Sequence, residues 1–501
     1  MTSPHDTYTS PLASRNASPE MLRIWSPRHK FTTWRRIWLA VAEAQQACGL
    51  DISEEQIAQM RARVVVTDED MERAARYEKD LRHDVMAHVH AYGDAAPLAK
   101  PIIHLGCTSQ DVVCNADNLI WREAERHIRL KLGRVIASIG EKAISTARIP
   151  TLGFTHYQPA QPATVGRRLA GWAHDLWLGL ERLETNWSSL PFDALRGMKG
   201  ATGTQASFLK LFDGDHERVD RFERLVQAKL YRCDEGAQED VSFLLVGQTY
   251  PRVIDSMLLS DLASVAAVLH KIATDIRLLS NRKELDEPFG DKQIGSSAMP
   301  YKRNPMKCER ICGLTRFVMN LVGNAYDTAA TQWLERTLDD SSNRRLSLPE
   351  AFLALDGALD LMRQVVGSEG GGLVVHEAMV KRNLMAELPF LATENILMEC
   401  VKAGADRQEY HEKIRVHAQA AGLRVKQEGL DNDLLDRLKN DPAFHTPALE
   451  RELDWDGLMD PMRYVGRAVE QTERFLKEVV EPLRERYAGE LDALGDSDRG
   501  V

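Results

Sequence analysis

Residues 295–305, GSSAMPYKRNP, combine hydroxyl groups, two cationic side chains and two prolines in a chain whose other regions carry mostly helical patterning. Asn304 is a favourable N-cap residue and Pro305 a favourable first helical residue, so the sequence predicts a helix beginning here. Lys302 and Arg303 would then lie beside the free N–H groups of a helix start, an arrangement that binds anions. Taken alone, the stretch is equally compatible with a basic, capped connecting loop.

A second candidate for chemistry is TLGFTHYQPAQ, at positions 151–161. Thr155 and His156 lie between a glycine and a proline, so the pattern predicts a loop. A lone histidine is most often a structural residue. One flanked by threonine, tyrosine and glutamine in a loop is nevertheless a candidate general acid or base.

A third polar stretch, LRHDVMAHVH, spans residues 81–90. Asp84 and His88 are four residues apart and would share one face of a helix, whereas His83 and His90 would point elsewhere. A metal site is one interpretation. The spacing matches no HExxH pair and the three histidines cannot converge, so it favours a hydrogen-bonded polar cluster and no metal.

Composition limits the class of function. The chain has 501 residues, 44% of them hydrophobic and 28% charged, as in an ordinary globular protein, and its net charge is −10. A nucleic-acid-coating protein would carry a basic surplus, so no nucleic-acid partner is expected. The sequence contains no GxxxxGK[ST] and no GxGxxG motif, and no cofactor is expected.

The cysteines and the termini indicate a cytoplasmic protein. The seven cysteines include no CxxC pair, and Cys308 and Cys312, four residues apart, are expected to fill a core rather than bind a metal. Residues 1–10 lack an apolar centre, so no signal peptide is expected. No uninterrupted apolar run approaches about 18 residues, so no membrane span is expected.

Long helices dominate the predicted structure. A seam with alternating steps of four and three residues runs through the segment 253–279, over about three heptads. It consists of Leu258, Leu262, Val265, Leu269, Ile272, Ile276 and Leu279. A weaker seam consists of Ile128, Leu132, Val135, Ile139 and Ala143. Such seams build helix bundles, within one subunit or between subunits.

Two interruptions suggest domain boundaries. Helical patterning lapses at HLGCTSQD, residues 104–111, and the glycine-rich GSEGGGL, residues 367–373, cannot stay helical. We therefore expect an N-terminal helical domain at 1–108, a central long-helix bundle at 109–367 and a C-terminal helical domain at 368–501. The loop 290–305 belongs to the central domain.

The polar stretches carry a family resemblance. GSSAMPYKRNP resembles the GSSxMPxKxNP signature of the fumarase/aspartase superfamily. Ten further segments, in order across roughly residues 8–480, resemble the adenylosuccinate lyase family, in the branch that includes animal enzymes. They are SPLASRNASPEM, KFTTWRRIWLAVAEAQ, LRHDVMAHVHAYG, HLGCTS, TLGFTHYQPAQ, KGATGTQASF, GQTY, QWLERTLDDSSNRR, LPFLATENI and HEKIRVHAQ.

The resemblance implies an all-α, three-domain fold whose central long-helix bundle forms the core of a homotetramer, with active sites shared between subunits. It implies β-elimination of fumarate from adenylosuccinate, giving AMP. It also implies the same reaction on succinylaminoimidazole carboxamide ribotide, giving AICAR, in purine nucleotide biosynthesis. Neither reaction would need a cofactor or a metal.

The resemblance also implies roles for individual residues. Ser296 would be the general base, His156 the general acid, and Lys302 would stabilise an aci-carboxylate intermediate. His83 would support the acid histidine and contact the substrate phosphate. The implied substrate-binding residues are Arg15, Asp84, Thr108, Ser109, Thr155, Gln248, Asn304, Arg310, Arg336, Ser341 and Arg345.

Two positions depart from the family pattern. Asn16 replaces the tyrosine of the motif SRYAS in animal enzymes, which removes an aromatic contact expected near the nucleotide. Cys114 lies where an aspartate is common, and the sequence indicates no role for it.

Two alternatives remain at this point. A sibling lyase acting on argininosuccinate or another succinyl adduct is disfavoured by the segments RHDVMAHVH and LERTLDDSSNRR. A structural protein that reuses a lyase scaffold is disfavoured because Ser296, Lys302 and His156 are all present, and a purely structural role needs none of them.

Overall fold

A computed structural model describes residues 6–187, 194–231, 242–367 and 372–494. The N-terminal region begins with a π-helical turn at Leu12–Asn16. Five helices follow, several with a serine or threonine N-cap as expected of helix starts. They are α1 (Pro19–Ile24), α2 (Pro27–Ala47), α3 (Glu54–Ala62), α4 (Asp68–Leu81) and α5 (Asp84–Ala95).

The central region contains the longest helices, connected at one end by a β-hairpin. Its elements are α6 (Ser109–Ser145), β1 (Pro150–Thr155), β2 (Gln158–Thr164), α7 (Val165–Trp187), α8 (Ala206–Leu211), α9 (His216–Tyr231), α10 (Val253–Asn281), β3 (Leu285–Asp286), α11 (Met306–Ala330) and α12 (Asp339–Val366). At 1.5 Å per residue, α6 is about 55 Å long, α10 about 43 Å and α11 about 37 Å.

The two predicted seams are confirmed. All seven residues of the α10 seam are buried, none more than 5% exposed, and they lie in one core with the α6 seam. α10 and α11 pack along each other, and α12 and α6 complete the bundle. Because α10 packs against several neighbouring helices, no polar residue interrupts its apolar seam.

Among the described residues, one helix, α10, is long and apolar enough to cross a membrane by length and composition. In the protein, 56% of that apolar stretch is buried against neighbouring helices. The core of a helix bundle accounts for this pattern.

The C-terminal region consists of shorter helices. They are α13 (Glu377–Leu391), α14 (Thr393–Lys402), α15 (Arg407–Leu423), α16 (Leu434–Lys439), α17 (Leu449–Glu452), α18 (Ala468–Phe475), α19 (Glu481–Arg486) and α20 (Glu490–Ala493), with β4 (Val374–Val375) preceding them. β4 pairs with β3 antiparallel, and this ladder joins the C-terminal region to the end of α10.

Three separate hydrophobic cores fill the described chain. The bundle core also takes residues from α1 and from the last helices, and a second core joins α2 to α9. The third lies within residues 392–458. The predicted domain boundaries stay a prediction, and residues 368–371 of GSEGGGL lie outside the described residues.

The all-α prediction is confirmed, with two small sheets added to it. β1 pairs with β2 antiparallel, and β3 pairs with β4. The sequence did not predict either pair. β1 and β2 form a single hairpin, exposed at its tip, whose prolines and glycine obscure the alternating pattern of a strand.

Burial of the α10 seam predicts that truncating one of its leucines strongly lowers the free energy of unfolding. Leu262→Ala removes a side chain that is 0% exposed and should lower the free energy of unfolding by about 2–5 kcal/mol. Leu423→Ala, at a helix position that is 54% exposed, is the control and should cost under about 0.5 kcal/mol. Urea unfolding at one fixed protein concentration measures both, and equal costs would contradict the assignment of the seam to the core.

Candidate active site

Eight of the predicted site residues line one cleft of about 390 Å³, hereafter the His83 cleft. It lies where α5, α6 and α12 begin and where the segment before α10 crosses them. The eight are His83, Asp84, Thr108, Ser109, Gln248, Arg336, Ser341 and Arg345. Segments far apart in sequence therefore meet here, and the assignment of these residues to a substrate site stays a prediction.

His83 is held in one orientation by the start of α5. It is the N-cap residue, and its Nδ1 accepts a hydrogen bond from Met86 N at 3.3 Å. Because Nδ1 is the acceptor, the neutral ring carries its proton on Nε2, an assignment made from the hydrogen bond. That nitrogen lies 3.4 Å from Ser109 Oγ, so His83 can donate into the cleft.

A buried carboxylate fixes the wall that carries Thr108 and Ser109. Asp111, 0% exposed, accepts hydrogen bonds from Thr108 N at 2.8 Å and from Lys199 N and Gly200 N at 3.0 Å. It also pairs with the buried Arg196 guanidinium. A buried charge with this many donors is fully compensated, so it fixes the start of α6 against the loop at 196–200.

The opposite wall presents guanidinium groups that are tied to acceptors. Arg336 donates to Gln248 Oε1 at 3.1 Å and to Asp340 Oδ1 at 3.2 Å. Arg345 donates to Asp84 Oδ2 at 3.0 Å, although its own side chain is 57% exposed. These pairings hold the donors in place while leaving other N–H groups of Arg345 for a ligand.

Sequence reasoning missed four charged residues of the same cleft: Lys30, Asp117, Arg252 and Arg344. Arg252 is paired with Asp340 and Arg344 with Asp255 and Asp117. Burial lowers the pKa of Lys30, whose amine lies over the rings of Phe31 and Trp34.

The cleft is consequently cationic. Its lining contains five lysine or arginine side chains, Lys30, Arg252, Arg336, Arg344 and Arg345, and two carboxylates, those of Asp84 and Asp117. Hydroxyl groups of Thr108, Ser109 and Ser341 add neutral donors. A phosphate or a carboxylate is the ligand that such a surface attracts.

Thr155 and His156 lie elsewhere, at the tip of the β1–β2 hairpin. Thr155 ends β1, and His156 and Tyr157, with φ of 53° and 58°, form the two-residue turn. Such turns usually carry asparagine and glycine, so side chains with a Cβ at both positions indicate a functional requirement. The His156 ring is exposed and has no hydrogen-bond partner within the described residues.

The third group surrounds residues 290–305, hereafter the Ser296 loop. Asn304 Nδ2 donates to Gly295 O at 2.7 Å, which closes the loop on itself. A Cβ on Gly295 would lie 2.3 Å from Lys302 O, so only glycine fits there. Lys302 is exposed and forms no ion pair within the described chain.

Two local predictions for this loop are wrong. The helix begins at Met306, Pro305 is its N-cap residue, and Asn304 is bonded to Gly295 instead of capping. The N–H groups of Lys307 and Cys308 are not free to bind an anion, because both donate to the Glu287 carboxylate at 3.0 Å. The capping group comes from the far side of the loop, where local sequence patterns give no signal.

The two serines of the loop differ in their surroundings. Ser296 is half-buried, and its Oγ accepts hydrogen bonds from Met299 N at 3.1 Å and Ala298 N at 3.4 Å. Ser297 is exposed. Backbone donors aimed at Oγ favour negative charge on that oxygen, so Ser296 is the better candidate for a base.

Arg15 and Arg310 complete the third group. Asn16, the position that departs from the family pattern, accepts from Arg310 Nη2 at 3.0 Å through its Oδ1 and donates to Pro11 O at 2.9 Å through its Nδ2. Burial, and then the nearby charge of Arg15, lower the pKa of Arg310. Two neighbouring cations repel each other, so an anion between them would be stabilising.

The long helices separate these groups. Ser109 begins α6, and the hairpin follows its other end at Ser145, about 55 Å away. Even a hairpin pointing straight back along the helix would leave His156 more than about 30 Å from Ser109. The Ser296 loop lies beside the start of α11, and the His83 cleft lies beyond its end.

The histidines after His83 do not form a metal site. His88 is 6% exposed and stacks on Phe31 at 3.7 Å between ring centroids, and His90 stacks on Tyr77 at 5.1 Å. No group of three His, Cys, Asp or Glu suited to a metal ion occurs among the described residues. Aromatic stacking, more than the predicted hydrogen bonding, holds these rings. Cys308 and Cys312 are buried, as predicted.

The class of the protein follows from comparison with known families. A family model described as lyase matches residues 14–320, which contain all three groups of candidate residues except Arg336, Ser341 and Arg345. A second model, adenylosuccinate lyase C-terminus, matches residues 389–475. The first match covers more than half of the chain, so the chain is a member of the lyase family.

Curated relatives define the family further. Adenylosuccinate lyase of Schizosaccharomyces pombe is 49% identical over 477 residues, covering 95% of both chains. The Saccharomyces cerevisiae enzyme is 46% identical with the same coverage. That of the animal Schistosoma mansoni is 43% identical, covering 96% of this chain and 97% of the relative. The chain belongs to the adenylosuccinate lyase family.

Solved structures agree on the fold. A 3-carboxy-cis,cis-muconate lactonizing enzyme from Pseudomonas putida superposes with a TM-score of 0.78 at 25% identity, covering 94% of this chain and 98% of that one. A fumarate lyase from a Mesorhizobium species gives 0.75 at 22% identity, covering 94% and 100%. At such identities the likeness concerns the fold alone.

The buried His88 predicts a pH dependence of stability. Burial, and then the charge of Arg35, lower its pKa to about 4, and Lys30 acts in the same direction while Asp84 and Asp70 oppose it. An unfolded histidine has a pKa near 6.5, so between these values the unfolded chain binds more protons than the folded one. Stability should therefore fall as pH drops from about 6.5 to about 4.

His88→Phe keeps the stacking on Phe31 and removes the proton site. Its unfolding free energy should lose less on acidification than that of the wild type, by at most about 3 kcal/mol at about 1.4 kcal/mol per tenfold change in proton affinity. Urea unfolding at a series of pH values measures the difference, and parallel curves for the two proteins would contradict the assignment.

Proposed function

We propose that this chain cleaves adenylosuccinate to AMP and fumarate, and succinylaminoimidazole carboxamide ribotide to AICAR and fumarate, in purine nucleotide biosynthesis. The observation that carries the proposal is the loop geometry that directs two backbone N–H groups at Ser296 Oγ and leaves Lys302 of the same loop exposed, with no ion pair among the described residues. Family membership and the cationic His83 cleft support it.

Ser296 would act as the general base. A serine hydroxyl is a poor base in water, and its alkoxide becomes accessible only with hydrogen-bond donors and cations around it. The N–H groups of Ala298 and Met299 supply donors, and Lys302 of the same loop supplies a cation. The alkoxide would take the proton from the carbon beside the substrate carboxylate, and the electron pair would move onto that carboxylate.

His156 would act as the general acid. As the C–N bond breaks, the departing nitrogen takes a proton from the His156 ring. The dicarboxylate part of the substrate is released as fumarate, which contains the new double bond. The position of His156 supports this role, because its ring is exposed at the tip of the hairpin and has no hydrogen-bond partner within the described residues. Water must be excluded during the step, and closure of the Ser296 loop over the substrate would do so.

Two anion-binding subsites support a nucleotide substrate that also carries carboxylates. The His83 cleft gathers hydroxyl and guanidinium donors at the start of α12, and Asp84 with Gln248 orients the arginines. Arg15 with Arg310 forms the other subsite, with Asn16 holding Arg310. Thr155 and Asn304 would contact the bound substrate from the hairpin and the loop.

We infer that the active chain is a homotetramer whose sites draw on different subunits. The length of α6 and α11 supports this, since no single copy can bring the His83 cleft, His156 and Ser296 to one substrate. Apolar side chains exposed around the bundle, such as Trp333 at 74% and Leu338 at 72%, are candidates for burial in such an assembly.

We expect a cytoplasmic enzyme with no nucleic-acid or membrane partner. The six described cysteines are free thiols, as in proteins of reducing compartments. The net charge of −10 opposes binding to nucleic acid. The proposed proton transfers use side chains alone and call on neither a cofactor nor a metal.

Ultraviolet absorbance tests the reaction and its base together. Purified wild-type protein should convert adenylosuccinate, whereas Ser296→Ala should lose about 10²–10⁴-fold in kcat while keeping its oligomeric mass. Ser297→Ala, the matched control one residue away, should retain kcat within about threefold. Conversion of argininosuccinate instead, or full activity of Ser296→Ala, would contradict the proposal.

Mixing inactive variants tests whether sites are shared. His83→Ala and His156→Ala should each be inactive, but co-refolded at equal amounts they should regain roughly a quarter of wild-type activity. That fraction of sites would receive an intact cleft from one subunit and an intact hairpin from another.

The control mixture combines His83→Ala with Ser341→Ala. Both positions line the same cleft of one chain, so every hybrid site would contain one defect and activity should not return. Recovery in both mixtures, or in neither, would contradict site sharing between the cleft and the hairpin.

A further inference from the structure

The start of α11 has no cap from its own sequence. Pro305 is the N-cap residue and provides no side-chain acceptor. Unsatisfied N–H groups at a helix start need a partner, which is usually a serine, threonine or aspartate at the cap position. Here the acceptor is Glu287, which lies before the Ser296 loop in the chain.

Glu287 binds the helix start with both carboxylate oxygens. Oε1 accepts from Lys307 N and Oε2 from Cys308 N, each at 3.0 Å, and the residue is 4% exposed. Burial raises the pKa of this carboxyl, while the two N–H groups act to lower it. Residues 287 and 307 are thereby joined directly across the base of the Ser296 loop.

The residues just before Glu287 are themselves fixed to the body of the protein. β3 pairs with β4, and Asp286 accepts from Ser280 Oγ and lies 2.8 Å from His376 Nε2. Glu284 accepts from Asn383 Nδ2 at 2.8 Å. Glu287 therefore connects an anchored strand to the first turn of α11.

A second closure lies inside the first. The bond from Asn304 Nδ2 to Gly295 O joins the residue before Ser296 to the second residue after Lys302. On the C-terminal side only Pro305 and Met306 separate the two closures, and the proline ring fixes its own φ, so the position of Lys307 constrains that of Asn304. The place of Ser296 Oγ thus depends on the outer closure as well as on the inner one.

We propose that Glu287 is a positioning residue that holds the Ser296 loop in the geometry needed for proton removal. The proposal rests on the function proposed above for this loop. Glu287 touches no reacting atom; it acts through the backbone of Lys307 and Cys308. A local cap would satisfy the same N–H groups but would leave the two ends of the loop unconnected.

Glu287→Gln tests the proposal with little change in shape. The amide oxygen can accept from one N–H group, but the amide nitrogen faces the other as a second donor, so one closure bond is lost. We expect kcat for adenylosuccinate to fall about 10- to 100-fold, as small misplacements of reacting groups do, with KM within about threefold.

Asp406→Asn is the matched control. Asp406 also caps a helix, α15, by accepting from Gln408 N and Glu409 N at 2.9 Å, but it lies in the C-terminal region. Both N–H groups donate to Asp406 Oδ1, which asparagine retains, so this substitution removes a carboxylate charge from a helix cap, as Glu287→Gln does, and should leave kcat within about twofold of the wild type. A comparable loss of kcat in both variants would overturn the proposal, because capping in general would then explain it.

Limited trypsin digestion measures how readily the Ser296 loop opens in the absence of substrate. Lys292, Lys302 and Arg303 are exposed within it. Glu287→Gln should be cut there faster than the wild type, by about tenfold, and Asp406→Asn should not, since local opening governs cleavage. Fragment masses identify the cuts. Unchanged cleavage together with unchanged kcat in Glu287→Gln would overturn the proposal.

Glu287→Asp covers the case in which Glu287→Gln does not fold. It keeps the charge and shortens the side chain. Both kcat and the rate of trypsin cleavage should therefore lie between the values of the wild type and those of a loop without its closure. Wild-type values for both would overturn the proposal. If wild-type protein fails to cleave adenylosuccinate, the proposed function fails, while the digestion still tests the closure by itself.

Discussion

The length of the central helices determines how a site can be built from this chain. α6, α10 and α11 run for about 37–55 Å, and each packs side chains into the bundle core. Candidate chemistry lies beyond both ends of these helices. A rigid scaffold of this kind positions each group well but cannot bring the groups together, so association of copies becomes the natural way to complete a site.

At the end that carries the His83 cleft, buried carboxylates position the arginines. Asp111 holds Arg196 and the start of α6, Asp255 holds Arg344, and Asp340 holds both Arg252 and Arg336. Each pair costs desolvation, and its value lies less in net stability than in fixing where a guanidinium points. The cations of the cleft are thus ordered before a ligand binds, which lowers the free-energy cost of ordering side chains on binding.

Periodicity allowed prediction of the bundle, and polar interruptions allowed prediction of the segments that form the cleft. Both kinds of pattern can be recognised from residues that are close together in the sequence. What escaped prediction depends on long-range contacts: Lys30 joins the cleft from α2, and Glu287 caps a helix across a loop. The hairpin escaped because a two-residue turn of His156 and Tyr157 lacks the usual turn residues. The choice between Ser296 and Ser297 also needed the backbone, since only Ser296 receives N–H donors.

The occupied helix start changes how negative charge can be stabilised near Ser296. If the N–H groups of Lys307 and Cys308 were free, the helix itself would attract an anion. Because Glu287 uses them, that stabilisation must come from the loop: from Lys302 and from the backbone N–H groups that surround Ser296 Oγ. Side-chain and loop donors stabilise the developing charge only when their positions are fixed before the reaction. Otherwise the free energy of reorganising them would cancel the stabilisation. A carboxylate that anchors the base of the loop is therefore worth more here than a helix dipole aimed at the substrate.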